Sequence, residues 1–248
     1  MQLLGRKKKN WKLIILIGLI LFSGCAKSKV DQNNDLGSGD KSNLPVSLDL
    51  LIEHAEYCKT IYDGGGSEKD NVAFDVKQDG GITIIVIRGT ANAENIQSDI
   101  DVRLVTDDDL GIRLHKGFRD ASVTVMSGID ESSLEKTVHV TGHSLGGAIA
   151  QIIGMWLHRK DHNVQIFSYG SPKVSSQVLS SGQPTHWRVV RRSDPIPFTP
   201  MWPYAHTGLF IDSVSLDWGP DNDNGLISKT DGLDHAIAKY VETLKANK

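Results

Sequence analysis

The chain has 248 residues, of which 39% are hydrophobic and 23% are charged, as in ordinary folded proteins. This length fits one α/β domain or two small ones, and the composition excludes a wholly disordered or collagen-like chain. The net charge is −3, but the first 24 residues hold five basic residues and no acidic one. The remaining residues therefore carry a net charge of −8, which argues against a nucleic-acid partner. Two cysteines, Cys25 and Cys58, are too few for a disulfide framework.

The N-terminus has the pattern of a secretory signal. Basic residues up to Lys12 precede an apolar segment over 13–22, and a Ser-Gly-Cys sequence ends at Cys25. The apolar segment is shorter than the roughly 20 residues that a membrane-spanning helix needs. Residues 21–25 resemble a bacterial lipobox, which implies removal of residues 1–24 and lipidation of Cys25. An uncleaved signal anchor, or secretion with Cys25 unmodified, is the alternative.

The segment after Cys25 is polar and rich in Asp, Asn, Ser and Gly, and its apolar residues follow no structural period. We therefore predict a flexible tether that ends at residue 45, followed by a folded domain over 46–248. With a lipidated Cys25, the domain is expected on the extracytoplasmic face of a membrane in the bacterial cell envelope. The sequence leaves open which membrane this is and what the oligomeric state is.

Predicted helices and strands alternate along residues 46–248. In chain order they are a helix that Ser47 caps, strands over 72–76 and 82–87 that form a hairpin, a helix after Gly117, a strand over 137–141, a helix over 148–158, strands over 164–169, 187–190 and 209–216, and a helix over 235–244. The strand over 82–87 is almost wholly apolar and β-branched, as in strands that are buried on both faces. This alternation predicts an α/β fold with a mostly parallel sheet and helices on both faces.

The pattern Gly142-His143-Ser144-Leu145-Gly146 carries the strongest chemical signal. It directly follows a predicted strand and precedes a predicted helix, the setting of a nucleophile elbow. Such a turn exposes the Ser144 hydroxyl at the carboxyl end of the strand, and the two glycines let strand and helix pass closely. The helix dipole and the Leu145 amide would then stabilise an oxyanion. A glycine-rich turn without chemistry is the alternative, and the flanking elements argue against it.

A serine nucleophile needs a base, and the base needs an orienting acid. The histidines that follow Ser144 are His158, His162, His186, His206 and His235. The first two lie on or just after the elbow helix, and the third precedes a strand, so all three are expected away from the carboxyl ends of the strands. The residues alone therefore leave His206 and His235 as candidate bases. Asp194 follows a predicted strand and is the candidate acid.

Several ordered blocks of the chain resemble the class 3 lipases, the fungal-type triacylglycerol lipases with an α/β-hydrolase fold, over roughly residues 47–244. The matching blocks are Ile87-Arg88-Gly89-Thr90, Asn95 with Asp99, His115-Lys116-Gly117-Phe118, residues 142–147, Tyr169-Gly170-Ser171-Pro172, Asp194-Pro195-Ile196-Pro197, Tyr204-Ala205-His206-Thr207-Gly208, and Asp234-His235 ahead of Tyr240. The resemblance implies that Ser144 is the nucleophile, Asp194 the acid and His235 the base. It assigns His206 to a supporting role.

The resemblance also implies an oxyanion hole made by the Thr90 and Leu145 amides, with Asn95 and Asp99 in the lid and its support. The activity it implies is hydrolysis of lipid or other carboxylic esters through an acyl-enzyme, with no cofactor and no metal. The lid segment, 91–100, holds only two large apolar residues, Ile96 and Ile100, which favours the esterase end of the family.

Other functions remain alternatives: a phospholipase, a thioesterase, or an inactive lipoprotein that binds a lipid or a partner. The Asp- and Asn-rich segment over 221–225 departs from the spacing of an EF-hand loop. We therefore predict a solvated turn there rather than a metal site.

Overall fold

The computed structural model describes residues 38–64, 66–69, 72–89, 102–177, 182–220 and 233–248. Several sequence predictions lie outside the described residues: the signal over 1–24, Cys25, most of the tether, Thr90, Asn95, Asp99 and the segment over 221–225.

The elements alternate as the sequence predicts. The strands are β1 (Ser67–Lys69), β2 (Val72–Asp79), β3 (Ile82–Ile87), β4 (Leu104–Asp107), β5 (Ile112–His115), β6 (Thr137–His143), β7 (Asn163–Tyr169), β8 (Thr185–Val190), β9 (Leu209–Asp212) and β10 (Trp218–Gly219). The α-helices are α1 (Leu48–Thr60), α2 (Lys116–Met126), α3 (Leu145–Arg159) and α4 (Ile237–Ala246). No helix in the described part of the chain is long and apolar enough to cross a membrane.

Most strands belong to one sheet, in the order β1-β2-β3-β6-β7-β8-β9-β10. The five strands from β3 to β9 in this order pair in parallel, and antiparallel strands flank them on both sides. Strands β4 and β5 form a separate hairpin. The mostly parallel sheet is confirmed. Because the carboxyl ends of parallel strands lie on the same side of the sheet, the residues that follow β6 and those that follow β8 come close together there.

Helices cover both faces of the sheet, as predicted. On β6, Val138 and Val140 belong to the core cluster that includes α3. Thr141 points to the other face, where its Oγ1 lies 3.2 Å from the Sγ atom of Cys58 on α1. Cys58 is fully buried, in keeping with its predicted place in the core of the first helix. Helix α3 is buried over 145–157, which explains why its sequence is apolar on all sides.

The structure corrects one predicted helix cap and two predicted boundaries. Helix α1 begins after Ser47, but the Ser47 side chain makes no capping hydrogen bond. The predicted strand over 209–216 ends at Asp212, because the Asp212 carboxylate accepts hydrogen bonds from the backbone N–H groups of Val214 and Ser215 and so stabilises a turn. The last α-helix begins at Ile237 rather than 235, since residues 233–235 form a 3₁₀ turn.

The predicted end of the tether is also wrong. Gly39 pairs with Trp218 of β10 through two backbone hydrogen bonds of 3.0 and 2.9 Å. The indole N–H of Trp218 donates to Asn43, and Leu44 packs against the core. Residues from Gly39 onwards therefore belong to the folded domain rather than to a free tether. The polar composition of this segment hides the contacts, because they are mostly made by backbone and amide groups.

Candidate active site

Ser144 occupies the single residue between β6 and α3. Its backbone has φ 59° and ψ −129°, a left-handed conformation that side chains other than glycine rarely adopt. A strained residue of this kind persists only where surrounding structure holds it in place, and such residues concentrate at functional sites. The turn aims the Ser144 side chain away from both elements and towards the edge where the parallel strands end.

The glycines around Ser144 are required by close backbone contacts. A Cβ atom on Gly142 would lie 2.1 Å from the carbonyl oxygen of Gly146, and one on Gly146 would lie 2.2 Å from the carbonyl oxygen of Ile87. No side chain fits at these distances, so only glycine allows α3 to start this close to β6 and β3. Steric exclusion of side chains therefore explains the two glycines of the Gly-His-Ser-Leu-Gly pattern, as expected for a nucleophile elbow.

The structure brings Ser144, His235 and Asp194 into one chain of hydrogen bonds. Nε2 of His235 lies 2.8 Å from Oγ of Ser144, and Nδ1 of His235 lies 2.7 Å from Oδ2 of Asp194. All three side chains are buried. A carboxylate can only accept, so Nδ1 carries the proton and Nε2 is free to accept from the Ser144 hydroxyl. This arrangement can transfer the serine proton to the imidazole.

Asp194 is fully buried, and its carboxylate accepts two hydrogen bonds besides the one from His235. The backbone N–H of Ile196 donates to Oδ1 over 2.9 Å, and the Tyr240 hydroxyl donates to Oδ2 over 2.6 Å. Burial and the adjacent Asp194 charge both raise the pKa of Tyr240, which therefore stays a donor. The sequence reasoning named Tyr240 only as a landmark after His235. Nothing in its spacing from Asp194 indicates this contact, because the two residues are 46 positions apart.

Leu145 is the first residue of α3. Its amide is thus one of the four N–H groups at a helix start that have no partner within the helix, where the helix dipole favours negative charge. Gly89 passes beside the nucleophile, since a Cβ atom on it would lie 3.0 Å from Cβ of Ser144. Thr90, the other expected oxyanion donor, lies outside the described residues.

His206 does not join this chain of hydrogen bonds. Its Nε2 atom lies 2.6 Å from the carbonyl oxygen of Pro197, and burial lowers the pKa of the ring well below its usual value. A neutral, buried imidazole that holds a loop carbonyl fits the supporting role that the resemblance implies. His186, near the start of β8, also lies outside this chain of hydrogen bonds: its Nε2 atom lies 2.7 Å from Oγ of Ser168.

No group of three or more His, Cys, Asp or Glu side chains that could hold a metal ion occurs among the residues that the structure describes.

Residues 84–204 match the family model of Lipase (class 3). Over this range the chain is similar to the class 3 lipases. The range includes the elbow and Asp194, whereas His235 lies beyond it.

Two relatives carry similar sequences. A secreted mono- and diacylglycerol lipase of Fusarium solani is 31% identical over 150 residues, which make up 54% of this chain and 45% of that protein. A lipase of Rhizomucor miehei is 29% identical over 144 residues, which make up 50% of this chain and 39% of that protein. The chain thus spans less than half the length of these relatives.

Solved structures show a likeness in fold that covers most of the chain. A triacylglyceride lipase of Rhizomucor miehei superimposes with a TM-score of 0.63 and 21% identity, covering 81% of this chain and 95% of that one. A triacylglycerol lipase of Penicillium expansum has a TM-score of 0.59 and 16% identity, covering 79% and 96%. The protein therefore has the α/β-hydrolase fold, as the sequence predicts.

Proposed function

We propose that this protein hydrolyses carboxylic esters, with Ser144 as nucleophile, His235 as base and Asp194 as acid. The observation that carries the proposal is the pair of hydrogen bonds, 2.8 and 2.7 Å long, that joins the three side chains through the two nitrogens of His235. Support also comes from the strained backbone of Ser144 at a strand-to-helix turn and from the match to the class 3 lipase model.

The mechanism follows from this geometry. Nε2 of His235 takes the hydroxyl proton as Oγ of Ser144 attacks the ester carbonyl, and Asp194 stabilises the imidazolium that forms. The Leu145 amide, with Thr90 as the second donor, holds the oxyanion. His235 then gives its proton to the departing alcohol. Water, activated by the same imidazole, hydrolyses the acyl-enzyme and regenerates the free serine.

We propose lipid esters of the acylglycerol type as the substrate class. The relatives named as acylglycerol lipases support this choice. The polar segment over 91–100 favours esters that do not require a broad apolar lid. A panel of glycerides, p-nitrophenyl esters of increasing chain length, a phospholipid and an acyl thioester tests the proposal. Faster turnover of the phospholipid or of the thioester than of any glyceride would reassign the substrate class.

The deciding experiment is labelling of the purified full chain with a fluorophosphonate probe, followed by mapping of the modified residue by mass spectrometry. We expect label on Ser144 and none in a Ser144→Ala variant. Ser122→Ala is the matched control, because Ser122 is also buried and donates its hydroxyl to a carbonyl in α2. A folded chain that takes no label at Ser144 would exclude ester hydrolysis by this serine.

We also propose that Cys25 is lipidated and anchors the protein to a membrane of the bacterial cell envelope. Support comes from the first 25 residues, with their basic start, short apolar segment and lipobox-like end. Mass spectrometry of the mature N-terminus tests this proposal. A mature chain that starts elsewhere than Cys25, or a Cys25 without added acyl mass, would rule it out.

A further inference from the structure

His143, the residue directly before the nucleophile, uses both of its ring nitrogens. Nε2 lies 2.7 Å from the carbonyl oxygen of His235, and Nδ1 lies 2.9 Å from the hydroxyl of Tyr62. A carbonyl oxygen only accepts hydrogen bonds, so Nε2 carries the proton, and Nδ1 accepts from Tyr62. Burial, with a smaller contribution from the adjacent His235, lowers the pKa of His143 to about 3, so the ring is neutral.

Tyr62 extends this chain of hydrogen bonds to a third segment. It follows α1 in a short 3₁₀ turn, and its hydroxyl lies against the backbone of Gly89. A Cβ atom on Gly89 would lie 2.6 Å from that hydroxyl, so glycine is needed for the approach. Burial raises the pKa of Tyr62, which keeps its proton and donates to His143.

The hydrogen bonds of His143 hold the backbone of His235, the proposed base, in place. His235 ends a three-residue 3₁₀ turn, an element too short to hold a side chain in place by itself. The hydrogen bond from His143 ties the His235 carbonyl to the residue next to Ser144. Without Tyr62, the neutral His143 ring could carry its proton on Nδ1, and the Nε2 lone pair would then face the His235 carbonyl and repel it.

We propose that His143 and Tyr62 are positioning residues for ester hydrolysis. His143 sets the place of His235 relative to Ser144, and Tyr62 selects the tautomer of His143 that makes this possible. The inference rests on the proposed function, because it concerns the geometry of the same nucleophile and base. A misplacement of reacting groups by about 1 Å can cost about 100-fold in rate, so a single backbone hydrogen bond at this point can change turnover.

Three variants separate the two roles. Tyr62→Phe removes only the hydroxyl. His143→Leu removes both ring nitrogens, whereas His143→Gln keeps an N–H group near the place of Nε2. The matched control is Tyr169→Phe, because Tyr169 is also fully buried and its hydroxyl donates over 2.6 Å to the carbonyl oxygen of Leu51, away from His235.

The measurements are kcat and KM on a p-nitrophenyl ester, with the unfolding midpoint of each variant in urea. We expect Tyr62→Phe to lose about tenfold in kcat with KM within about twofold. His143→Leu should lose about 100-fold, and His143→Gln should recover most of that loss. Tyr169→Phe should shift the unfolding midpoint much as Tyr62→Phe does and leave kcat within about twofold.

A second readout does not depend on activity. ¹⁵N NMR of the histidine rings distinguishes the two neutral tautomers, and we expect His143 in the wild-type chain to carry its proton on Nε2. In Tyr62→Phe the ring should become a mixture of tautomers. A wild-type ring protonated on Nδ1 would overturn the proposal, and so would an unchanged tautomer in Tyr62→Phe.

The outcomes also distinguish this inference from the proposed function. A wild-type chain whose Ser144 does not react with the fluorophosphonate probe would overturn ester hydrolysis itself. Normal labelling of Ser144, with equal kcat in Tyr62→Phe and Tyr169→Phe, would overturn only the positioning role. If His143→Leu does not fold, the comparison of Tyr62→Phe and His143→Gln with the wild-type chain decides the same question.

Discussion

Tyr240 donates its hydroxyl to Oδ2 of Asp194 over 2.6 Å, and the same oxygen lies 2.7 Å from Nδ1 of His235. Tyr240 lies on α4, and His235 comes two residues before this helix begins. One helix and its leading turn therefore present to the carboxylate both the base and a second donor. Asp194 is therefore oriented by the same part of the chain that carries His235. A small movement of α4 would move His235 and Tyr240 together.

Removal of the Tyr240 hydroxyl should lower turnover without abolishing it. Tyr240→Phe leaves Oδ2 of a fully buried carboxylate with one donor fewer, so Asp194 can rotate away from His235. We expect kcat to fall about five- to tenfold, with little change in KM. Steady-state kinetics on a p-nitrophenyl ester measure the effect, with Tyr169→Phe as control. Equal kcat in Tyr240→Phe and in the control would show that Tyr240 does not orient Asp194.

The two candidate histidines should respond differently to truncation. His235→Ala removes the proposed base, so kcat should fall by about 10⁴ or more. His206→Ala removes a neutral buried ring that bonds to Pro197, so it should cost about 2 kcal/mol of unfolding free energy and leave kcat within a few-fold. Urea unfolding and esterase assays on both variants test this contrast. Wild-type turnover in His235→Ala would mean that another group is the base.

Stability should fall in mild acid because of buried neutral histidines. Burial lowers the pKa of His54 to about 3, with the neighbouring His139 adding to the effect, and the His54 ring stacks on Phe167. The unfolded chain takes up this proton below about pH 6.5, whereas the folded chain does so only near pH 3. The contribution of His54 is therefore complete above pH 6.5 and is lost as the pH falls towards 3.

A His54→Gln variant tests this linkage. Between pH 7.5 and pH 5, protonation of His54 in the unfolded chain should cost the wild-type protein about 2 kcal/mol of unfolding free energy. His54→Gln should lose less stability over the same interval by about that amount. Urea titrations of both proteins at the two pH values measure the difference. The same pH dependence in both proteins would refute the assignment to His54.

Substitution of the elbow glycine should be far more damaging than substitution of a glycine in an open turn. In Gly146→Ala the new methyl group would meet the backbone oxygen of Ile87 at 2.2 Å, so α3 must move. We expect a loss of about 3 kcal/mol or more and little labelling of Ser144. Gly111→Ala has open space but a φ of +67°, so it should cost about 1 kcal/mol and leave labelling intact. Comparable losses in the two variants would contradict the steric argument.

The parts of the structure that the sequence predicts well depend on neighbours in the chain. Strand β6, the turn at Ser144 and helix α3 form one continuous segment, so apolar runs and two glycines are enough to identify the elbow. The alternation of strands and helices likewise indicates the parallel sheet, because parallel strands need crossover connections. The errors fall at element ends. Asp212 ends β9 with a side-chain turn, and residues from Gly39 onwards pair with β10.

By itself the sequence therefore determined the fold class, the elbow, and a short set of candidate acids and bases. Its residues alone left His206 and His235 equal, and the resemblance to a family was needed to choose between them. Only the tertiary structure brought His235 to Ser144 across 91 positions and Tyr62 to His143 across 81. Such contacts are decided by how α1, the sheet and α4 pack together, since hydrogen bonds between distant segments depend on packing geometry, which no local pattern encodes.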